Sequence, residues 1–291
     1  MALAKILLCM DTDPQPSVFD SVVALDAGAD RLLRHGGVTP ADVKSLIHGL
    51  MFTRPGDQLH HSAALIGGSD VVAGEQLLQA TKQAFFGPVR VSVMLDSNGA
   101  NTTAAAAVVC AGRHLPLGPE TIVLVLGATG SVGQRVVRML AREGADVRVA
   151  SRRLTHAEAV CHRIASAVPG ARVTPRSTTD SDMGDLLDAA HLVISAGAAG
   201  VKMMEAEHFK AANSLQVAID LNAVPPAGVT GIDPKDKATK RAGRICYGAL
   251  AVGGLKMKIH RAAIRQLFET NNRILDADEI YNLGKLLADA K

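Results

Sequence analysis

The amino-acid sequence predicts an α/β protein with two domains. Short apolar runs alternate with stretches of helical spacing along most of its 291 residues, an order typical of a parallel sheet flanked by helices. A glycine-rich turn at residues 127–133 joins an apolar run to an amphipathic helix, which is typical of a Rossmann-type domain. Residues 113–120 carry two prolines and one glycine and separate two such series, and the chain is long enough for two cores.

The first series lies in the N-terminal hundred residues. The apolar run at residues 5–10 ends in an Asp-rich turn, and Ser17 has the character of a helix N-cap, with Asp20 three residues on. Gly87 and Pro88 form a stop signal for the helix before them. Thr102 and Thr103 are expected to cap an Ala-rich helix. We expect strands at 5–10, 63–66 and 89–95, and helices after Ser17, at 70–86 and at 103–112.

The second series begins at Thr121 and ends near residue 250. We expect strands at 121–126, 146–150, 171–175, 191–195 and 216–220, with helices at 131–143, 155–168 and 182–189. A mainly helical segment follows from about Leu255, after the pair Gly253 and Gly254. We therefore assign residues 1–113 to an N-terminal α/β domain, 114–250 to the Rossmann-type domain, and 251–291 to a helical segment that returns to the N-terminal domain.

Composition excludes several classes of function. The net charge of +3 is too small to indicate a nucleic-acid partner. No apolar stretch approaches the roughly 20 residues that a membrane helix needs, and the run at 5–10 is too short for a signal peptide. The four cysteines show no CxxC spacing, and His60–His61 is the only adjacent histidine pair, so we expect reduced thiols and no metal site. The sequence predicts a cytoplasmic protein.

The glycine-rich turn is the candidate phosphate-binding loop. In the run GATGSVG at 127–133, Gly127 makes the tight turn, Gly130 lets the backbone approach a pyrophosphate, and Gly133 allows close helix–strand packing. The helix N-terminus faces the phosphates. The expected cofactor-binding residues of this turn are Gly127, Thr129, Gly130, Ser131 and Val132. The alternative is that the glycines serve only a tight turn between strand and helix.

The residues at the end of the next strand distinguish an NAD site from an NADP site. An NAD site carries an acidic residue there for the ribose 2′-hydroxyl, whereas this chain has Ser151, Arg152 and Arg153. Arginine is a permanently charged, bidentate partner for a 2′-phosphate. We therefore expect NADP as the cofactor, with NAD as a weaker alternative. The competing interpretation is a solvated basic turn.

A third segment of small residues follows the strand at 191–195. Ala196 and Gly197 would let the backbone pack against the nicotinamide half of a dinucleotide, and Asn222, after the strand at 216–220, is assigned to the same cofactor. Residues 195–200 could equally form a simple turn. From this segment alone the two interpretations are equally supported.

Several further segments resemble the bacterial NAD(P)-dependent methylene-tetrahydromethanopterin dehydrogenases, which are similar in architecture to the methylenetetrahydrofolate dehydrogenases. The resemblance spans nearly the whole chain, and its DSNG and GGLK segments are specific. The segments are residues 11–13, 16–20, 85–88, 94–99, 101–103 and 253–261.

The resemblance implies oxidation of a methylene-pterin to the methenyl form with NADP, in one-carbon (formaldehyde) metabolism. It implies a tetrahydromethanopterin-type substrate bound by the N-terminal domain, and a homo-oligomer of three or six subunits. It assigns Asp20 and Lys256 as catalytic residues that bind the pterin. Asp96, Asn98 and Thr102 are the other expected substrate-binding residues, and Thr102 also lies near the nicotinamide.

The reaction chemistry agrees with this resemblance. Removing a hydride from an N–CH2–N carbon leaves a delocalised cation, so the site needs alignment and exclusion of water rather than a base or a metal. The alternatives are a methylenetetrahydrofolate dehydrogenase and a non-catalytic NADP-sensing protein. Asp20 could instead stabilise a helix dipole, and Lys256 could be a solvated lysine, although Gly253–Gly254 could bring it back to a cleft.

Overall fold

In the computed structural model, which describes residues 3–290, the N-terminal part alternates strands with helices as predicted. The Ser17 hydroxyl accepts the Asp20 N–H at 3.1 Å, so the expected N-cap is confirmed. The elements are β1 (Ile6–Asp11), α1 (Val18–Asp26), β2 (Arg31–His35), α2 (Pro40–Met51), β3 (Ser62–Gly67), α3 (Val71–Gln83), β4 (Ser92–Leu95) and α4 (Ala100–Gly112).

The rest of the chain contains the second series and the C-terminal helices. Its elements are β5 (Ile122–Leu126), α5 (Ser131–Arg142), β6 (Asp146–Ser151), α6 (Leu154–Ala167), β7 (Arg172–Ser177), α7 (Met183–Leu187), β8 (Leu192–Ser195), α8 (Ala206–Ala211), β9 (Val217–Asp220), β10 (Lys237–Arg241), β11 (Arg244–Tyr247), α9 (Ala249–Leu267), β12 (Ile274–Leu275) and α10 (Ala277–Asp289). The sequence did not predict β2, α2, α8, β10, β11 or β12.

The five-stranded sheet has the order β12-β4-β3-β1-β2, and all its strand pairs are parallel. β1 lies between β3 and β2, with Leu8 opposite Ala64 on one side and Leu33 on the other. Apolar side chains of the sheet pack against α2 and α3 in a core that includes Met10, Ile47 and Leu77. Burial of these side chains fixes the register of the sheet.

The seven-stranded sheet has the Rossmann order. From β5 it continues through β6 to β7 on one side and through β8 and β9 to β11 on the other, with β10 antiparallel to β11 at the edge. The order reverses between β5 and β8, and ligands of such sheets bind where the order reverses, at the carboxyl ends of the strands. The predicted fold class is confirmed.

The chain divides into two compact units. One unit joins the N-terminal part up to Thr102 with the C-terminal part from Met257, and the other runs from Thr103 to Lys256. Both divisions fall inside helices, α4 and α9, rather than in the Pro- and Gly-containing segment at 113–120.

Two local expectations are corrected by the helix boundaries. Gly253 and Gly254 do not precede the C-terminal helix, because α9 begins at Ala249 and continues through them. Each glycine costs about 1 kcal/mol in a helix interior, and a 19-residue helix tolerates this. Thr102 and Thr103 do not cap α4, which begins at Ala100; the Thr102 side chain bonds Asp96 instead. None of the helices within residues 3–290 is long and apolar enough to cross a membrane.

Candidate active site

A cavity of about 870 Å³ lies at the carboxyl ends of β5, β6, β7 and β8. This volume falls within the range of small-molecule and cofactor sites. Its lining contains four basic side chains, no aspartate and no glutamate. The lining residues are Gly127, Thr129, Gly130, Ser151, Arg152, Arg153, His156, Thr178, Thr179, Met183, Ala196, Gly197, Ala198, Val201, Lys202 and Met203.

The glycine-rich turn forms the floor of this cavity. Gly127 has φ +68°, and a Cβ there would lie 2.7 Å from the Gly197 nitrogen. A Cβ on Gly133 would lie 2.4 Å from the Gly127 carbonyl oxygen, so both positions require glycine. Gly130 is the N-cap of α5 and lines the cavity, and a Cβ there would meet atoms only at 3.4 Å and beyond. The start of α5 therefore lies at the cavity, a position that suits an anion.

Two of the expected residues of this turn do not line the cavity. Ser131 and Val132 are half-buried and form the first turn of α5. Thr129 lines the cavity, and its carbonyl oxygen accepts a hydrogen bond from Nε2 of Gln134 at 2.7 Å. This bond ties the turn to the helix that follows it.

The basic end of the cavity lies after β6. Ser151 is buried, whereas Arg152 and Arg153 are exposed, and Arg153 is the N-cap residue of α6. The turn after β7 is tied to this end, since Thr179 Oγ1 donates to the Arg152 carbonyl at 3.1 Å. Thr178 donates its backbone N–H to the Ser151 carbonyl at 2.9 Å. Two exposed guanidinium groups at this end of the cavity are suited to a phosphate.

The opposite side of the cavity is the β8 loop, residues 196–203. Ala196, Gly197 and Met203 line the cavity. Asn222 is buried and does not line it; its Oδ1 accepts the Gly200 N–H at 3.2 Å. In the structure Asn222 therefore holds the β8 loop, and its expected contact with a cofactor stays a prediction.

A second group of polar side chains lies at the carboxyl edge of the five-stranded sheet. A Cβ on Gly67 would lie 3.3 Å from an Asp11 carboxylate oxygen and 3.4 Å from one of Asp20, so the two carboxylates converge there. Asp11 is buried and accepts the backbone N–H of Ser17 at 3.0 Å, whereas Asp20 is half-exposed. Burial, with Asp20 adding to it, raises the pKa of the Cys9 thiol to about 12, which keeps Cys9 protonated.

Asp96 and Thr102 are buried, with 2% and 0% of their surface exposed. Asp96 accepts the Thr102 N–H at 3.0 Å and the Thr102 hydroxyl at 2.6 Å. Nδ1 of His260, which is itself fully buried, lies 3.9 Å from the same carboxylate. These bonds order the start of α4, and the direct substrate contact expected of Asp96 and Thr102 stays a prediction.

The remaining expected substrate residues are more accessible. Asn98 has φ +55°, the left-handed region that asparagine tolerates better than most residues, and donates its N–H to the Gly68 carbonyl at 2.7 Å. Lys256 is half-buried in α9, one helical turn before His260. Among residues 3–290 no group of three or more His, Cys, Asp or Glu side chains could hold a metal ion.

Two parts of the chain match models of known protein families. A family model described as the N-terminal domain of methylene-tetrahydromethanopterin dehydrogenase matches residues 18–98, and one described as the saccharopine dehydrogenase NADP-binding domain matches residues 123–219. The bifunctional protein MdtA of Methylorubrum extorquens is 41% identical over 98% of this chain and 99% of its own length. The NAD(P)-dependent methylenetetrahydromethanopterin dehydrogenase of the same organism is 30% identical over 94% of this chain and 95% of its own.

This chain belongs to the methylene-tetrahydromethanopterin dehydrogenase family. The predicted family is confirmed, and the protein is an oxidoreductase. Among solved structures, shikimate dehydrogenase from Mycobacterium tuberculosis is similar at 15% identity, with a TM-score of 0.53, covering 97% of this chain and 99% of that one. At this identity the likeness concerns the fold alone.

Several cavity residues of this family member were not identified from the sequence. His156 lies in the first turn of α6, while Thr178 and Thr179 follow β7. Lys202 and Met203 lie in the β8 loop. The positions of Thr178 and Thr179 could have been anticipated, because residues just beyond the carboxyl ends of strands line the ligand crevice of an open α/β sheet.

Proposed function

We propose that this protein oxidises methylene-tetrahydromethanopterin to methenyl-tetrahydromethanopterin with NADP, by direct hydride transfer. The relative from Methylorubrum extorquens that carries this activity in its name supports the substrate. The observation that carries the proposal is the cavity beside β5, whose basic end holds Arg152 and Arg153 and whose lining contains no carboxylate.

The residues of the cavity fit a phosphorylated dinucleotide. The tight backbone approach at Gly127 and Gly133 leaves the start of α5 open to an anion, which suits the pyrophosphate. Arg152 and Arg153 would hold the 2′-phosphate, and the small residues Ala196 and Gly197 leave room for the nicotinamide half. When bound, the nicotinamide ring supplies the hydride acceptor.

The chain's own task in this reaction is alignment. The bridging carbon gives up a hydride, and the cation that remains is stabilised by its two nitrogens, so no proton leaves that carbon. Asp20 would accept hydrogen bonds from pterin N–H groups, and Lys256 would orient the pterin by donating to its carbonyl or ring nitrogens.

Full activity should therefore survive exhaustive treatment with chelators, measured as the initial rate before and after. Activity restored only by added zinc or magnesium would contradict this mechanism.

Initial rates with two cofactors and two carriers test the proposal. NADP and NAD are each combined with methylene-tetrahydromethanopterin and with methylene-tetrahydrofolate, and formation of the reduced nucleotide is followed by absorbance. The highest kcat/KM is expected with NADP and the methanopterin. A preference for the folate carrier would identify the protein as a methylenetetrahydrofolate dehydrogenase, and NADP binding without turnover on either carrier would identify an NADP sensor.

The assembly is the remaining part of the proposal. We propose a homo-oligomer of three or six subunits, as the family resemblance implies. Light scattering coupled to size-exclusion chromatography measures the mass of the assembly directly, and a monomeric mass at micromolar concentration would contradict this part of the proposal.

A further inference from the structure

A buried carboxylate lies behind the β8 loop. Asp220 is the last residue of β9, is 2% exposed, and pairs in register with Ser195 at the end of β8. Its two oxygens accept the N–H groups of Asn222 at 3.2 Å and of Val229 at 3.0 Å. Burial raises the pKa of Asp220, and the hydrogen bonds that the carboxylate accepts counteract this. Asp220 therefore fixes both ends of the segment after β9, residues 221–229, which we term the β9 loop.

The β9 loop in turn holds the β8 loop at two points. Asn222 Oδ1 accepts the Gly200 N–H, and its Nδ2 donates to the Pro226 carbonyl at 2.8 Å. The Gly228 carbonyl accepts the N–H groups of Met203 at 2.7 Å and of Met204 at 3.0 Å. These bonds link the backbone of the β8 loop to the segment that Asp220 orders.

Gly228 packs closely against one side of the carboxylate. A Cβ at this position would lie 2.5 Å from Oδ1 of Asp220 and 2.6 Å from Oγ of Ser195. On the cavity side, a Cβ on Gly197 would lie 2.8 Å from the Met203 sulfur, so Met203 packs directly on the small residues that line the cavity. A displacement at Asp220 would therefore be transmitted through close contacts to the cavity wall.

We propose that Asp220 is a positioning residue, which sets the β8 loop for the nicotinamide half of the cofactor without touching the cofactor. This inference rests on the proposed binding of a dinucleotide in the cavity. Both oxygens of Asp220 act as acceptors, because a backbone N–H group points at each of them. An amide offers one acceptor and two donors, so an asparagine at this position would face one of these N–H groups with a donor of its own.

The first arm of the test needs no ligand. Hydrogen–deuterium exchange is measured on the unliganded protein and on Asp220→Asn, which conserves the shape of the side chain. We expect the amides of residues 200–204 to exchange at least about tenfold faster in the variant, with β5 unchanged, since exchange reports local opening. Unaltered exchange in this segment overturns the proposal.

The second arm measures separately the effect of the substitution at each end of the cofactor site. Asp220→Asn should lower kcat with NADP by roughly tenfold to a hundredfold, because misplacement of about 1 Å can cost this much. The affinity for adenosine 2′,5′-bisphosphate, which occupies only the basic end, should stay within about twofold. If activity and fragment affinity fall together, Asp220 supports the fold and does not position the loop.

Two further variants make the outcome decisive. Gly228→Ala displaces the same carboxylate from the other side, and should show the same separation even if Asp220→Asn folds poorly. Asp236→Asn is the matched control, since Asp236 is also a buried carboxylate of this unit and accepts the Asp233 N–H at 2.8 Å, but does not hold the β8 loop. It should destabilise the protein and leave kcat unchanged.

Wild-type protein without dehydrogenase activity would count against the proposed function, and the exchange arm would still decide the role of Asp220.

Discussion

Replacing Arg152 and Arg153 together by serine tests how the protein selects its cofactor. Both side chains line the basic end of the cavity and both are exposed. A hydrogen bond to a charged group contributes about 1.5–3 kcal/mol, and solvent and salt weaken exposed contacts. We therefore take roughly 1.5 kcal/mol for the first arginine and about 0.5 kcal/mol for the second. The sum of about 2 kcal/mol corresponds to a roughly thirtyfold rise in the Kd for NADP.

The assay is a direct titration of each variant with NADPH and NADH, followed by initial rates. NADH affinity should change by less than about twofold, because NADH lacks the 2′-phosphate. Raising the ionic strength should reduce the preference for NADPH in the wild type more than in the double variant. Arg163→Ser is the matched control, since Arg163 is an exposed arginine of α6 that does not line the cavity. Equal losses for the two cofactors would refute the reasoning and show that the arginines support the fold.

Three other substitutions test the site. Gly127→Ala should lower the free energy of unfolding by at least about 1–2 kcal/mol, because the backbone of Gly127 is left-handed and other backbone atoms crowd it. The substitution should also abolish NADP binding. An NADP titration curve like that of the wild type would contradict the role of this turn. Thr102→Val removes the hydroxyl donor of Asp96 and should cost about 1–3 kcal/mol in urea denaturation; a rise in the pterin KM without any loss of stability would instead indicate direct substrate contact. Lys256→Ala should lower kcat/KM for the pterin by about tenfold, which is a loss of roughly 1.4 kcal/mol, and leave NADP affinity within about twofold. Unchanged pterin kinetics would make Lys256 a surface lysine.

Several elements with a strong local pattern were predicted from the sequence, whereas β2 was missed because it has none. β5 and α5 were found because an apolar run, a glycine-rich turn and an amphipathic helix follow each other directly. β2 has the sequence RLLRH, is exposed at the edge of its sheet, and carries no alternation. It becomes a strand because it pairs with β1, which only the tertiary structure provides.

The C-terminal segment shows how local signals can mislead. Gly253–Gly254 has the composition of a turn, yet both residues lie within α9. Glycine lowers helix propensity by about 1 kcal/mol per residue, and packing of the buried residues Ile259, Ala263 and Ile264 on the same helix outweighs this.

The sequence by itself determined the family, the Rossmann turn and the basic end of the cavity. Each of these depends on short continuous segments, whose residues and spacing are visible without knowledge of the fold. The tertiary structure alone decided which polar residues are buried. It placed Asp96 and Thr102 inside the protein, and it brought Asp220 and Asn222 behind a loop some twenty residues away. The physical reason is that strands far apart in the sequence pair in the fold. This pairing decides which side chains are buried and which hydrogen-bond partners a buried carboxylate finds, and local patterns do not encode it.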